Sequence, residues 1–501
     1  MPIFSKLHHI RLMAAATLLL LVCACSSDGN GDDPTPTPQI ADSNQYINLS
    51  IVVSSGNEKA TRAPQGGEDG DGREAGSERE NRVRGITFML YQSDKDKGTD
   101  GLSLSGDETL SFIGYYPVQR EDAGTEYDQK TDEAIYTTDD QPLKGVDLSK
   151  KYHAIVVANA DLTTEFKAGD NVKKVLDHPI SEIYQGTGLG ADANYFVMSS
   201  EKDYTMEFTD PEPIEKYGKP AELYKFDDPI HIERLAARVD FWMNNAEYKV
   251  KGDNEAYPIN PGYEYSVEKY FGGDSKDKFV LTAITPFNLY NEKEYLIKRT
   301  DGGYLADEIK TSYVLDPKID DKTKGNATGL DYYGNPLSSL VLLDKNQNTL
   351  SAAEKEYQSA KSLHDSPAQK ATFTNDDYKD NFIICYPKEN TLLPASPLYY
   401  YATGLAIEGD YYPNADPTKV KHLIYYGYLR HQGEAESGFY TIKAATDLDP
   451  EETGSADVAM NFGVVRNNIY RISIDQITEK DIKMRITVKK WDTFTHDVIY
   501  M

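Results

Sequence analysis

Apolar residues fall at every second position in Tyr46-Ile47-Asn48-Leu49-Ser50-Ile51-Val52-Val53, so Ile47, Leu49, Ile51 and Val53 share one face of a half-buried strand. The same reading predicts strands at Val83–Gln92, Lys151–Asn159, Tyr195–Met198, Leu235–Phe241, Phe279–Thr285 and Ser338–Leu343. It adds Asn381–Tyr386, Leu398–Ala406, Lys421–Leu429, Phe439–Lys443, Asn468–Ile474 and Ile482–Lys489. Helical patterning is sparse. Ser351-Ala352-Ala353-Glu354 opens a capping box for a helix to about Leu363, and Asp161–Leu176 holds a second, broken near Gly169. Many strands, long polar loops and few short helices predict a mostly β protein built of β-sandwiches. The polar stretch Asn244–Asp253 divides it into two domains, 63–246 and 247–501.

Upstream of the sandwiches the pattern is of another kind. Residues 1–25 combine a basic start (Lys6, His8, His9, Arg11) with an apolar run, Leu12 to Val22, too short to span a bilayer. The run leads into Val22-Cys23-Ala24-Cys25-Ser26, which resembles a bacterial lipobox, with Cys25 as the lipid-bearing residue and Cys23 the weaker candidate. An ordinary secretory signal is the alternative. Residues 26–41 form a Pro-rich tether. After the first strand come Ala60-Thr61-Arg62-Ala63 and an acidic, Gly-rich stretch, Gln65 to Asn81, with almost no apolar residue. A strand, an arginine and a polar stretch in that order describe a segment that a protease could release.

Charge narrows the partners. With 53 Lys+Arg against 81 Asp+Glu the chain carries −28, which excludes a nucleic-acid partner bound through phosphates. Outside the leader only Cys385 remains, and it reads as a small buried hydrophobe. Gly186-Thr187-Gly188-Leu189-Gly190-Ala191 fits a dinucleotide fingerprint in letters but follows no buried parallel strand. Asp94-Lys95-Asp96-Lys97-Gly98-Thr99-Asp100 alternates acids as a calcium loop does, yet its lysines oppose a cation, so it reads as a solvated turn. No His-Glu-x-x-His occurs. The clusters Tyr399-Tyr400-Tyr401 and Tyr411-Tyr412 suit a sugar-binding platform or, more simply, a core. No enzyme, cofactor or metal is expected.

Four blocks carry a resemblance. Val464-Val465-Arg466-Asn467-Asn468-Ile469-Tyr470 and the terminal Met484-Arg485-Ile486-Thr487-Val488-Lys489-Lys490-Trp491 are similar to the fimbrillin family, shaft subunits of Bacteroidia type V pili. Ala154-Ile155-Val156-Val157-Ala158-Asn159 and Glu233-Arg234-Leu235-Ala236-Ala237-Arg238-Val239 agree with it. The resemblance implies two transthyretin-like β-sandwich domains and a lipoprotein precursor held at the outer membrane through Cys25. It implies cleavage by an arginine-specific protease between Arg62 and Ala63, with 26–62 removed on maturation, although Arg73, Arg79, Arg82 and Arg84 offer other sites. The strand bearing Ile47, Leu49, Ile51 and Val53 would then leave, and a C-terminal donor strand of another copy, with Ile482, Met484, Ile486, Val488 and Trp491, would take its place. Its partners would be copies of itself in a surface filament with accessory tip and anchor subunits. An anchor or tip subunit, or a glycan-binding surface lipoprotein, are the alternatives.

Overall fold

The computed structural model describes residues 44–53, 73–75, 78–96, 104, 106–120, 135–180, 184–185, 195–226, 229–242, 246–249, 262–266, 276–289, 294–300, 303–304, 369–370, 381–391, 401–431, 439–444 and 462–492. These residues are mostly β strand. Two apolar cores organise them. The chain passes from one to the other at Ala236, which packs in the first, and Ala237, which packs in the second.

The first core lies within a sheet that returns on itself. Its order runs Met198–Ser200, Ile230–Arg234, Ser50–Val53, Ile135–Thr138, Thr109–Arg120, Gly85–Asp96 and Lys150–Ala158, and the last of these pairs again with Met198–Ser200. Closure leaves no free edge along that ring. Lys150–Ala158 is central, so its run Ala154 to Ala158 is buried on both faces. Asn159 stops it with φ +62, a left-handed backbone that Asn tolerates better than most residues. Its side chain then ties three segments: Nδ2 donates to the carbonyls of Phe196 (2.7 Å) and Arg82 (3.0 Å), and Oδ1 accepts from the Arg84 amide (2.9 Å).

Around the second core, one sheet is ordered Gln369–Lys370, Asn381–Cys385, Arg238–Trp242, Asn468–Ile477, Asp481–Asp492 and Phe439–Lys443. Arg73–Ala75 joins it parallel to Lys490–Asp492. The other is ordered Ala246–Lys249, Gly262–Ser266, Lys278–Phe287, Gly404–Tyr412 and Lys421–Tyr428. The expected strand Leu398–Ala406 is displaced: Tyr401–Thr403 precede it, and the strand begins at Gly404. Gly404 and Gly409 sit inside it although glycine weakens strands. The rings of Phe287 and Phe279 lie over them, so a β-carbon there would meet the ring and, at Gly409, also the Val280 carbonyl at 2.6 Å. Gly409→Ala is therefore expected to cost about 1–3 kcal/mol by overpacking, read as a lower urea midpoint.

The expected strand Leu235–Phe241 starts late, at Arg238 (Arg238–Trp242), because Leu235–Ala237 is where the chain changes sheets; the strand before it, Ile230–Arg234, was not expected. Of the expected helix at Asp161–Leu176, only Lys173–Leu176 is helical, and Gly169 upstream has φ +88. Asp94–Asp96 continue the strand from Gly85 rather than forming a turn. Ser338–Leu343, the Ser351 capping box and Gly186–Ala191 lie outside the described residues.

Candidate functional site

The segment Gln45–Val53 is the lead strand. It crosses from one sheet to another at Leu49. Its first half, Gln45–Asn48, runs parallel to Lys219–Lys225 and antiparallel to Gln141–Pro142. Its second half, Ser50–Val53, runs parallel to Ile230–Arg234 and antiparallel to Ile135–Thr138, so it is the member that closes the ring between those two. Ile47, Leu49, Ile51 and Val53 are 0% exposed and enter the first core, as their alternation predicts. The opposite face is covered in part: Asn48 and Ser50 on it are half-buried, as expected, but two other residues are buried. Val52 is fully buried, and Tyr46 packs on Ala221 and Leu223 with the Lys216 ammonium 5.8 Å from its ring centre. Paired on both sides and with one face wholly in the first core, the strand cannot leave without opening an apolar slot.

The C-terminal strand Asp481–Asp492 is held as firmly in its own chain. It pairs along its length with Asn468–Ile477 and, over Asp481–Arg485, with Phe439–Lys443. Ile482, Met484 and Ile486 are buried in the second core, and Val488 packs against it. Trp491 departs from that face. Its fully buried ring joins the first core, stacked on Tyr386 (5.7 Å, 13°) and edge-on to Phe196 (5.4 Å). The Arg234 guanidinium lies 4.6 Å from the ring centre and donates to the Trp491 carbonyl (2.9 Å), to Asn467 Oδ1 (2.9 Å), to the Glu80 carbonyl (3.0 Å) and to Asn81 Oδ1. Arg238 lies beside it, paired with Asp240 (2.7 Å) and Glu80 (3.3 Å).

A second buried charge cluster fixes the loops of the two cores to each other. Arg466, 0% exposed, donates to Glu389 (2.7 Å) and to the carbonyls of Tyr295 (2.7 Å) and Leu296 (3.3 Å). Burial disfavours its charge, but Glu389, Glu294 and Glu233 outweigh that and hold it protonated. Glu294 accepts from the Glu389 amide (3.0 Å), and burial raises its carboxyl well above the ordinary range against the pull of Arg466. Glu233 meets Lys298 Nζ at 2.6 Å, yet burial outweighs Lys298 and Arg466 and pushes its carboxyl up to about 8. The native state thus keeps that proton between the ordinary 4.5 and about 8 while the unfolded chain loses it, so the group's contribution falls as pH rises through that window. Glu233→Gln, which cannot ionise, should lose this decline: urea midpoints compared at pH 5 and pH 8 are expected to fall more for the natural chain than for the variant.

These clusters give a physical reason for three of the blocks singled out in the sequence. Arg234, the run Arg466-Asn467-Asn468 and Trp491 are bonding residues at the meeting of the two cores, whereas Asn159 of the remaining block ties segments of the first. Asn467 takes φ +56, accepts from the Trp491 amide (3.0 Å) and donates to the Ala236 carbonyl (2.8 Å). Buried arginines and glutamates carry no periodic signal in a sequence, so this junction was not foreseen as a unit. Cys385 is buried, as expected of a small hydrophobe. Tyr401, Tyr411 and Tyr412 are buried, which places them in cores rather than on a surface platform. Cys25, Arg62 and Ala63 lie outside the described residues.

No protein-family model matches the chain, and no curated protein does. Among solved structures it is similar to a candidate cell-adhesion protein from Parabacteroides distasonis (15% identity, TM-score 0.39, 89% of this chain and 99% of that one). It is similar to a C-terminally truncated tip fimbrial protein from Porphyromonas gingivalis (9%, TM-score 0.35, 89% and 99%). A fimbrial assembly protein from Parabacteroides distasonis gives 10% and a TM-score of 0.33, with the same coverage.

Proposed function

We propose that this chain is a fimbrial shaft subunit, made as a lipoprotein precursor anchored through Cys25, cut by an arginine-specific protease at Arg62–Ala63, and joined head-to-tail to other copies by strand exchange. The observation that carries the reading is the lead strand: it closes the first sheet, yet it lies wholly on the N-terminal side of Arg62. While it is tethered, its effective concentration at the slot is high. Once cut, its hold depends on bulk concentration, and a strand from another chain competes. Head-to-tail filling of such a slot is heterologous and builds an open filament rather than a closed oligomer. Tip and anchor subunits would cap its ends, and adhesion would be the service of the whole fibre at the cell surface.

The expected donor, Asp481–Asp492 with Ile482, Met484, Ile486, Val488 and Trp491, fills its own cores in the uncut chain. Donating it opens one core for each slot it closes, a near-balanced swap whose direction is set by loss of the tether. That integration also favours a second reading, a terminal subunit that accepts a strand and donates none. Digestion of the leaderless precursor with an arginine-specific protease, followed by N-terminal sequencing and electron microscopy, separates the two. A shaft subunit gives an N-terminus at Ala63 and filaments that vanish when 482–501 is deleted. A terminal subunit is cut at the same bond and stays monomeric, whereas no cut before Val83 sinks both.

A further inference from the structure

Alternation alone cannot set the register of a strand in this slot. A slip of two residues returns every apolar side chain to the same face, and only slips of one are penalised by burial. Nor does a continuous ladder carry register across the crossing. On the antiparallel side Ile47 faces Gln141 and Ser50 faces Thr137, so three partner residues stand opposite Asn48 and Leu49. On the parallel side Asn48 faces Lys225 but Ile51 faces Ile230, a wider break. The two halves of the strand are therefore registered separately, with a gap between them.

Among the described residues, the Asn48 side chain reaches from the lead strand across that gap. Asn48 Nδ2 donates to the Thr138 carbonyl (2.7 Å) and to Asp140 Oδ1 (3.2 Å). Thr138 holds the adjacent backbone by accepting from the Leu49 amide through Oγ1 (3.1 Å) and donating to the Leu49 carbonyl (3.0 Å). The backbone contacts accept any residue. The amide contacts do not: they need a hydrogen-bond donor facing a carbonyl and a carboxylate, and Asp140 is further fixed by Lys216 at 2.7 Å.

We infer that Asn48, with Thr138 and Asp140, is the register-determining contact of the slot, and that the slot selects an alternating strand with a donor side chain at the position of Asn48. The inference rests on the strand-exchange reading and names the chemistry of the incoming segment, which we take to be Asp481–Lys490 of a second copy. With Ile482, Met484, Ile486 and Val488 in the places of Ile47, Leu49, Ile51 and Val53, Lys483 stands against Asp140. A slip of two in one direction sets Asp481 against Asp140, and in the other carries Lys490 into the Val53 pocket. Only one of the three registers satisfies both the pockets and the carboxylate.

The test uses the full chain after arginine-specific digestion and fluorescein-labelled peptides covering Gln45–Val53, read by anisotropy. The natural peptide is expected to bind, Asn48→Ala to bind about tenfold more weakly for two lost hydrogen bonds, and Asn48→Asp more weakly still. Asp140→Asn in the protein should narrow the Asn48→Asp deficit, and Lys483→Glu in an Asp481–Lys490 peptide should weaken it likewise. Equal binding of the natural and Asn48→Ala peptides would overturn the register contact while leaving strand exchange intact. Failure of the natural peptide to bind would overturn strand exchange itself, and the register contact with it.

Discussion

A chain shortened to begin at Ala63 is expected to lose its cooperative unfolding transition, or to recover it only as an assembly. The magnitude follows from the lead strand alone. Ile47, Leu49, Ile51 and Val53 are each 0% exposed. At roughly 1.5–3 kcal/mol per buried aliphatic side chain, their loss removes about 6–12 kcal/mol before any hydrogen bonds are counted. That is an upper range, because an unfolded chain already hides part of such surface. It nevertheless matches the whole stability of a typical domain, about 5–15 kcal/mol. Ser50→Ala, at a half-buried polar position of the same strand, is expected to change stability by no more than about 0.5 kcal/mol. Thermal unfolding of the shortened chain, with and without an added Gln45–Val53 peptide, measures the effect. A shortened chain that unfolds at the temperature of the parent would show that the slot closes on itself.

Trp491→Ala is expected to lower the stability of the uncut chain by about 3–5 kcal/mol, the cost of removing a large aromatic side chain from a packed site. Three contacts go together: the stack on Tyr386, the edge contact with Phe196 and the cover over Arg234. Arg234 would stay buried with one face uncovered. Trp491→Phe keeps a ring on Tyr386 and removes an indole N–H that has no hydrogen-bond partner among the described residues, so its loss should be clearly smaller. Urea titration of the three chains gives the order. The result bears on function because a tryptophan used only after donation would leave the uncut chain unaffected when replaced.

The sequence made some of this visible and hid the rest for definite reasons. Period-2 alternation located the lead strand and its inward residues, because one face meets a core. It could not show that Tyr46 and Val52 on the other face are also covered, since that depends on Lys219–Lys225 and Ile230–Arg234, far along the chain. Gly404 and Gly409 concealed the true start of their strand, because their place there depends on Phe287 and Phe279 from the neighbouring strand. Adjacent tyrosines drew the expected strand too early. The charged junction was least legible: Arg234, Arg238, Arg466, Glu233 and Glu389 resemble any surface charges until the fold brings them together. The resemblance marked those stretches without giving their role, which is to bond the two cores to each other.

Strand exchange requires that the slot open and be refilled. Hydrogen exchange followed by mass spectrometry, on Ile135–Thr138 and Ile230–Arg234 before cutting, after cutting and after assembly, reads that directly. Both segments should be protected in the precursor, exchange quickly in freshly cut monomer, and regain protection in the polymer. Protection that is unchanged through all three stages would mean that the lead strand never leaves, and would contradict the account.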